Sequence, residues 1–279
     1  MTPSPTDSNG IKPRLALEEL LAGCVIPIDK PRQWTSFQAV NKVKATIRNT
    51  YGLKKFKIGH AGTLDPLATG LLLVCVGKAT KRIDELQAGE KVYTGTMVLG
   101  ATTPCYDLER PIDRYYPWQH ITPQLLSDTL SQFLGEIEQV PPIFSAVKIG
   151  GQRAYSYARE AQNGEEIPSP TPKKIHIDEF EITAFRPGRE TETTQPIATS
   201  DVRGTHLYDH PLGIVPEHLP QIDFRIRCGK GTYIRSIARD LGLALDSGAF
   251  LSALRREQVG EYTIHDAITL DSISSFFTE

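Results

Sequence analysis

The segment from Gly59 to Val76 limits the fold of this chain more than any other part of the sequence. Glycines at 59, 62 and 70 bracket a loop, and six apolar residues, 71–76, follow it directly. An apolar run of this length after a glycine indicates a buried strand, and it is far short of the roughly 20 residues of a membrane-spanning helix. The segment therefore predicts a core strand with a glycine-flanked loop at its start.

Three further stretches show the apolar spacing of helices. The first begins at a capping pattern of Thr35 with Gln38, the second begins at Thr122 and Pro123, and the third begins at Ile234. The positions expected to face the core are, helix by helix, Phe37, Val40, Val43 and Ile47; Leu126, Leu130, Phe133 and Leu134; and Ile237, Ala238, Leu241 and Leu245.

Strands are expected between these helices, at residues 24–28, 91–99, 174–184 and 222–228. Strands and helices are interspersed without regular βαβ alternation, so the α+β class is predicted. Residues 1–14 are polar and indicate a disordered tail. Residues 15–279 are expected to form one domain, in which the aperiodic stretch 186–220 is a surface insertion.

Positive charge is concentrated locally although the net charge is only -2. Eight basic residues and no acid lie between Lys30 and Leu64, and a second basic stretch spans residues 225–239. A local positive field attracts a polyanion such as nucleic acid, although a solvated helix face is the more common origin of such a run. The four cysteines form no Cys-x-x-Cys pair, which indicates reduced thiols in the cytoplasm and no metal site.

Two segments carry candidate chemistry. In residues 59–70, Pro66 biases Asp65 toward an extended backbone, and the strand that follows supports the acid rigidly. An Asp-Pro pair in a glycine-rich loop is also a common turn. In residues 229–236, Arg235 follows two glycines and can hold a buried carboxylate ionised, although an ordinary structural salt bridge is the alternative.

These segments resemble the TruB family of tRNA pseudouridine synthases. Residues 59–66, Gly-His-Ala-Gly-Thr-Leu-Asp-Pro, are similar to the catalytic motif of that family. Further similar blocks follow in order at 29–36, 91–93, 141–148, 153–155, 230–235 and 254–256. The resemblance implies a pseudouridine synthase fold, with a central mixed, mainly antiparallel sheet flanked by helices and loops.

The resemblance also implies an activity. It implies isomerisation of uridine to pseudouridine at position 55 in the T-loop of tRNA, with Asp65 as nucleophile, no cofactor and no metal. Tyr93 is expected to stack on the flipped base and to assist proton transfer, and Arg235 is expected to pair with Asp65. The expected partner is the tRNA T-arm, bound by a cytoplasmic monomer without membrane contact.

Other residues are assigned to RNA binding by the same resemblance. His60 is expected to fill the space that the flipped uridine leaves, since a stacked base must be extruded at a cost of a few kcal/mol. Tyr233 and Leu254 are expected to line the pocket. Lys30, Lys148 and Arg153 are expected to contact phosphates, the last two from a thumb-like segment, 141–160, that grips the RNA.

The chain departs from the family pattern at three places. Gln33 stands where the family usually has glycine, and residues 103–107 differ from the usual stretch, so support near Tyr93 is expected to differ. Few residues follow Arg256, so no PUA-type RNA-binding domain is expected at the C-terminal end. Two other functions stay open, an RNA-binding or tRNA-folding helper without catalysis and a nucleic-acid glycosidase.

Overall fold

A computed structural model of the protein describes residues 15–145, 147–154, 169–189 and 213–277. The chain divides into two compact units, Met1–Tyr93 with Arg255–Glu279, and Thr94–Leu254. The predicted tail, 1–14, and most of the predicted insertion, 186–220, lie outside the described residues. Both therefore stay predictions.

The first unit combines helices with short and long strands. In chain order its elements are α1 (Leu17–Gly23), β1 (Cys24–Lys30), α2 (Ser36–Tyr51), β2 (Ile58–Ala61), β3 (Thr69–Val76), a 3-10 helix (Gly77–Arg82), α3 (Ile83–Ala88) and the start of β4 (Lys91–Leu99).

Strand β3 organises this unit. It is antiparallel to β1, from the pair Cys24 and Val76 to the pair Lys30 and Gly70. On its other edge it is antiparallel to β2, with Ile58 opposite Val76. All six residues 71–76 are fully buried, which confirms the predicted core strand. Burial of both faces explains why this strand is continuously apolar and does not alternate.

Helix α2 confirms the predicted capping pattern and corrects one core position. Thr35 and Gln38 form a capping box, and Val40, Val43 and Ile47 are buried as expected. Phe37, in contrast, is 69% exposed. The buried stripe runs through Ser36 and Val40, four residues apart, so the side chain of Phe37 projects about 100° away from it.

The second unit contains longer antiparallel strands. Its elements are the end of β4, β5 (Ala101–Thr102), β6 (Arg114–Tyr115), α4 (Pro123–Leu130), a 3-10 helix (Ser131–Phe133), β7 (Gly135–Gln139), β8 (Lys148–Ile149), β9 (Gln152–Arg153), β10 (Lys173–Arg186), β11 (Gln221–Cys228), α5 (Ile234–Ala244) and the start of β12 (Ala249–Val259). Strand β10 pairs antiparallel with both β11 and β7.

Both helices of this unit begin where the sequence predicts. In α4, Leu126 and Leu130 are buried as expected, but Leu134 is 46% exposed. The α-helix ends at Leu130 and a tighter 3-10 turn follows, so the spacing of 3.6 residues no longer applies at Leu134. In α5 all four predicted core positions are buried.

The remaining elements return the chain to the first unit. They are the end of β12, β13 (Tyr262–Thr263), β14 (Ile268–Thr269) and two 3-10 helices (Ile264–Asp266 and Ile273–Phe276). Strand β12 runs parallel to β3, with Arg256 opposite Gly70, and β14 runs parallel to β1. Parallel pairs beside mostly antiparallel ones confirm the predicted α+β class with a mixed sheet. Within the described residues, no helix is both long and apolar enough to cross a membrane.

Candidate functional site

Asp65 lies in the loop between β2 and β3. Its neighbours Leu64 and Ala68 are 4% and 2% exposed, whereas Asp65 itself is only half-buried. The backbone N–H of Ala68 donates to the Asp65 carbonyl at 3.1 Å, which closes a tight turn. The apolar neighbours anchor the turn in the core on both sides of the half-buried Asp65.

Polar side chains bind the backbone on both sides of Asp65. On one side, Ser36 Oγ accepts from Leu64 N–H at 2.8 Å and donates to the Leu64 carbonyl at 3.1 Å. On the other side, Lys30 Nζ donates to the Pro66 carbonyl at 3.3 Å. Ser36 is the first residue of α2 and Lys30 the last of β1, so two separate elements hold the loop.

Arg256 holds the start of the same loop. The residue is 1% exposed, and its guanidinium donates to the carbonyls of Leu71 at 2.8 Å, Gly62 at 3.1 Å and Thr63 at 3.4 Å. Strands β3 and β12 pack closely here, so the Arg256 side chain lies near these carbonyls. A Cβ at Gly70, where φ is +98°, would lie 2.3 Å from the Arg256 carbonyl, so only glycine fits there.

The buried position of Lys30 contradicts its predicted phosphate contact. Its side chain is fully buried, and Nζ also donates to the carbonyls of Trp34 at 2.6 Å and Pro31 at 3.0 Å. With Pro66 these bonds use all three ammonium protons. Burial lowers the pKa of Lys30 to about 8, while the Asp65 carboxylate acts to raise it. The charge of Lys30 therefore acts on Asp65 from inside the unit.

The predicted catalytic role of Asp65 leads us to expect a decline in turnover as the pH rises through about 8, because neutral Lys30 can donate only two of its three hydrogen bonds. Global unfolding would not account for the loss. The ordinary pKa is 10.5, so between pH 8 and 10.5 the unfolded chain binds more protons and the contribution of Lys30 to stability rises with pH. Single-turnover rates from pH 6 to 10, with circular dichroism at each pH, measure this.

A Lys30→Arg variant is the matched control for that pH profile, because a guanidinium stays charged above pH 12. The decline near pH 8 is expected to disappear in this variant. A decline at the same pH in both proteins, or a flat profile in the parent protein, would contradict the assignment to Lys30.

Gln33 adopts the backbone conformation that glycine adopts freely. Its φ is +67°, and its N–H donates to the Pro66 carbonyl at 2.8 Å, next to Asp65. A left-handed conformation costs a non-glycine residue roughly 1–2 kcal/mol. Glycine would adopt this conformation without that cost, and the turn is retained here in spite of the side chain.

His60 and Tyr93 also belong to the first unit. Tyr93 is 8% exposed and lies in β4. His60 lies in β2 and not in the loop that the sequence predicts. A strand of four residues is too short to show a periodic pattern in the sequence. Its Nδ1 is buried without a hydrogen-bond partner among the described residues, and burial lowers its pKa below 6.5. Burial therefore favours the neutral form of the imidazole.

Backbone carbonyls and a carboxylate hold Arg235 within the second unit. The residue is 5% exposed, and its guanidinium donates to the carbonyls of Cys105 at 3.2 Å and Phe144 at 2.9 Å. Its Nε lies 3.7 Å from the Asp107 carboxylate. The unusual stretch 103–107 thus supports Arg235. Asp65 belongs to the other unit, so the predicted pairing of Arg235 with Asp65 stays a prediction.

The other predicted RNA-binding residues are also in the second unit. Tyr233 is half-buried, and its backbone N–H and carbonyl both bind the Gln139 side chain, at 2.8 and 3.2 Å. Leu254 is half-buried in β12. Lys148 and Arg153 pair in the β8–β9 hairpin, but their side chains, and residues 155–160 of the predicted thumb-like segment, lie outside the described part.

The two basic stretches differ in the structure. In the first stretch, Lys54, Lys55 and Lys57 are exposed. In the second stretch, Arg225 and Arg227 form ion pairs with Glu179 at 2.6 and 3.4 Å. Ion pairing partly neutralises the second stretch, so the first offers the stronger attraction to a polyanion.

Sequence reasoning missed the residues that hold Asp65, Arg235 and Tyr233 in place. Ser36 and Arg256 stood inside recognised blocks without an assigned role, and Gln139 and Asp107 were not singled out. The sequence did offer a signal for Arg256, because it is a basic residue in a largely apolar strand. A buried charged side chain nearly always has an ionic or hydrogen-bond partner. Within the described residues, no group of three or more His, Cys, Asp or Glu side chains is arranged to hold a metal ion.

Comparison with solved structures supports the fold. The chain aligns with a chain of a Cbf5-Nop10-Gar1 complex at a TM-score of 0.59 and 25% identity, covering 92% of this chain and 54% of that one. It also aligns at a TM-score of 0.55 and 23% identity with a chain of an H/ACA RNP bound to a substrate RNA containing 2'-deoxyuridine, covering 93% of this chain and 55% of that one. The chain thus spans about half the length of these structural relatives, and it has the predicted pseudouridine synthase fold.

Sequence comparison extends over nearly the whole chain. The N-terminal domain model of the TruB family pseudouridylate synthases matches residues 48–234, and the tRNA pseudouridylate synthase B C-terminal domain model matches residues 235–279. The tRNA pseudouridine synthase B of Flavobacterium johnsoniae is 50% identical over 91% of this chain and 95% of that protein. That of Phocaeicola vulgatus is 43% identical over 92% and 94%. The chain therefore belongs to the TruB family of pseudouridylate synthases.

Proposed function

We propose that this protein isomerises uridine to pseudouridine in tRNA, and that its target is the uridine at position 55 of the T-loop. Relatives that match nearly its whole length are tRNA pseudouridine synthases, which supports the reaction and the substrate. The T-arm is the partner, and the enzyme acts as a cytoplasmic monomer. Four cysteines without disulfides agree with that compartment.

The chemistry needs one carboxylate and no external reagent. The Asp65 carboxylate attacks the nucleoside, the bond between C1′ and N1 breaks, and the uracil rotates while it stays bound. A new bond then joins C5 to C1′ as the Asp65 carboxylate is released, the proton on C5 leaves with the assistance of Tyr93, and N1 takes up a proton in its place. Product and substrate have the same atoms, so no cofactor or metal is consumed.

The observation that carries this proposal is the way in which the Asp65 loop is held. Ser36, Lys30 and Arg256 bind its backbone carbonyls at 3.1 to 3.4 Å, and each of these side chains is at most 3% exposed. A turn at the surface needs no such bracing. A nucleophile does, because a misplacement of about 1 Å costs about 10²-fold in rate.

The family resemblance assigns the RNA contacts to the remaining residues. His60, neutral at pH 7, fills the gap that the flipped base leaves, and Tyr233 and Leu254 line the pocket. Arg235 holds Asp65 ionised during attack. Lys148 and Arg153 contact phosphates from the 141–160 segment. The residue just before this segment, Val140, is bound to α5, where Ser236 and Arg239 both donate to its carbonyl at 2.9 Å.

A T-arm transcript tests the function directly. After incubation with the protein we expect an RNA of unchanged mass that has become reactive to carbodiimide at the T-loop uridine. Release of free uracil with a lower RNA mass would identify a glycosidase. Binding without either change would identify the helper function.

A further inference from the structure

A cavity opens on the first unit beside the Asp65 loop. It has a volume of about 380 Å³ and is lined by Gln33, Trp34, Gln38, Asn41 and Lys42. Small-ligand sites range from about 300 to 1,000 Å³, so a cavity of this volume can receive one nucleotide. The roles proposed above give no ligand to these side chains.

The lining combines three kinds of group that recognise a nucleotide. The Trp34 indole offers a flat apolar face for a base, and the amides of Gln33 and Asn41 can donate to and accept from its edge. The Gln38 carbonyl oxygen accepts from the Thr35 N–H at 2.8 Å, which leaves its NH2 group able to donate to a ligand. Lys42 supplies a cation for a phosphate.

Hydrogen bonds join this cavity to the Asp65 loop. The Trp34 carbonyl accepts from Lys30 Nζ at 2.6 Å, and the Gln33 N–H donates to the Pro66 carbonyl at 2.8 Å. The same Lys30 ammonium binds Pro66, the residue after Asp65. The residues that line the cavity are therefore hydrogen-bonded to the same group that supports the Asp65 loop. An RNA whose uridine reaches Asp65 brings neighbouring nucleotides to this surface.

The surrounding charge favours a polyanion as the occupant. Arg32, Lys42 and Arg48 are exposed in the turn before α2 and along α2. No aspartate or glutamate occurs between Lys30 and Leu64. Phosphates of an RNA strand therefore meet positive charge on this surface without a competing carboxylate from the same segment.

We propose that this cavity binds a second, unstacked nucleotide of the same RNA, with its base stacked on Trp34 and its phosphate at Lys42. The site is separate from the one that receives the target uridine. The identity of the RNA rests on the function proposed above, whereas the chemistry of the cavity requires only a single-stranded nucleotide in an RNA strand.

Substitution at Trp34 tests the stack through the affinity for a T-arm stem-loop RNA. We expect Trp34→Ala to raise the Kd about 5- to 100-fold, the loss typical of one base–aromatic stack, and Trp34→Phe to restore most of it. Lys30 binds the Trp34 backbone, so this bond survives both changes. Phe37→Ala is the matched control, because Phe37 is an exposed aromatic of the same segment outside the cavity, and we expect less than a 2-fold change.

Two single substitutions of exposed lysines test the phosphate contact at positions where a change does not threaten folding. Lys42→Gln is expected to reduce the slope of log K against log salt by about 1, and Lys81→Gln, exposed elsewhere in the first unit, is expected to leave it unchanged. Equal losses in Trp34→Ala and Phe37→Ala would overturn the proposal, as would an unchanged salt slope in Lys42→Gln.

Fluorescence separates RNA from free nucleotides. The chain has two tryptophans, so Trp118→Phe leaves Trp34 as the sole indole, and we expect the stem-loop RNA to quench it. Absence of quenching, or quenching by free UMP at the same concentration as the RNA, would overturn the proposal. These measurements read binding alone. Quenching by RNA without formation of pseudouridine would refute the proposed function and leave the cavity assignment intact.

Discussion

Asp65→Asn is expected to abolish pseudouridine formation while leaving the protein folded and able to bind RNA. The rate should fall by at least about 10⁴-fold, since loss of a nucleophile can cost about 10⁶-fold. Asparagine has nearly the same shape, and the loop is held through its backbone by Ser36, Lys30 and Arg256, so the turn itself should persist. Single-turnover conversion of a T-arm RNA gives the rate, and anisotropy gives the Kd.

Asp84→Asn is the matched control for this variant. Asp84 is an exposed acid in α3 of the same unit, and its substitution should change neither the rate nor, beyond about 0.5 kcal/mol, the stability. Retention of the parental rate in Asp65→Asn would show that this carboxylate is not the nucleophile. A rate loss matched by an equal loss of RNA affinity would assign Asp65 to binding.

Elements with a strong local pattern could be predicted from the sequence. The six apolar residues before Gly77 predicted β3, and Thr35 with Gln38 predicted the start of α2, because each signal lies within a few residues of the element that it specifies. The pattern failed at Phe37 and Leu134. Both lie at helix ends, where the buried stripe shifts or the helix changes from α to 3-10.

The support of the nucleophile could not be predicted in the same way. Lys30 and Arg256 bind backbone carbonyls at Pro66 and Gly62, which are 36 and 194 residues away in the sequence. Every residue has a carbonyl, so the acceptors leave no mark in the sequence. The phosphate contact of Lys30 came from the family resemblance. Burial and the three hydrogen bonds of Nζ show that its charge faces inward.

Arg256→Met should give the largest loss of stability among these variants. The change leaves three carbonyls, those of Leu71, Gly62 and Thr63, without their charged donor in a buried place. We expect a loss of about 3 kcal/mol in the free energy of unfolding, as hydrogen bonds to charged groups each contribute about 1.5–3 kcal/mol and some relaxation occurs. Urea unfolding measures the loss of stability, and the turnover rate of the folded fraction measures the effect on catalysis.

Arg255→Met is a control one residue away that separates loop support from general loss of charge. Arg255 is partly exposed and forms ion pairs with Asp29 and Glu257 at 2.8 and 3.5 Å. Pairs of this kind contribute at most about 1 kcal/mol. Equal costs at the two positions would show that the Arg256 bonds do not stabilise the loop. A large stability loss in Arg256→Met with parental turnover in the folded fraction would show that Asp65 keeps its position without them, and bracing of the loop would then not explain catalysis.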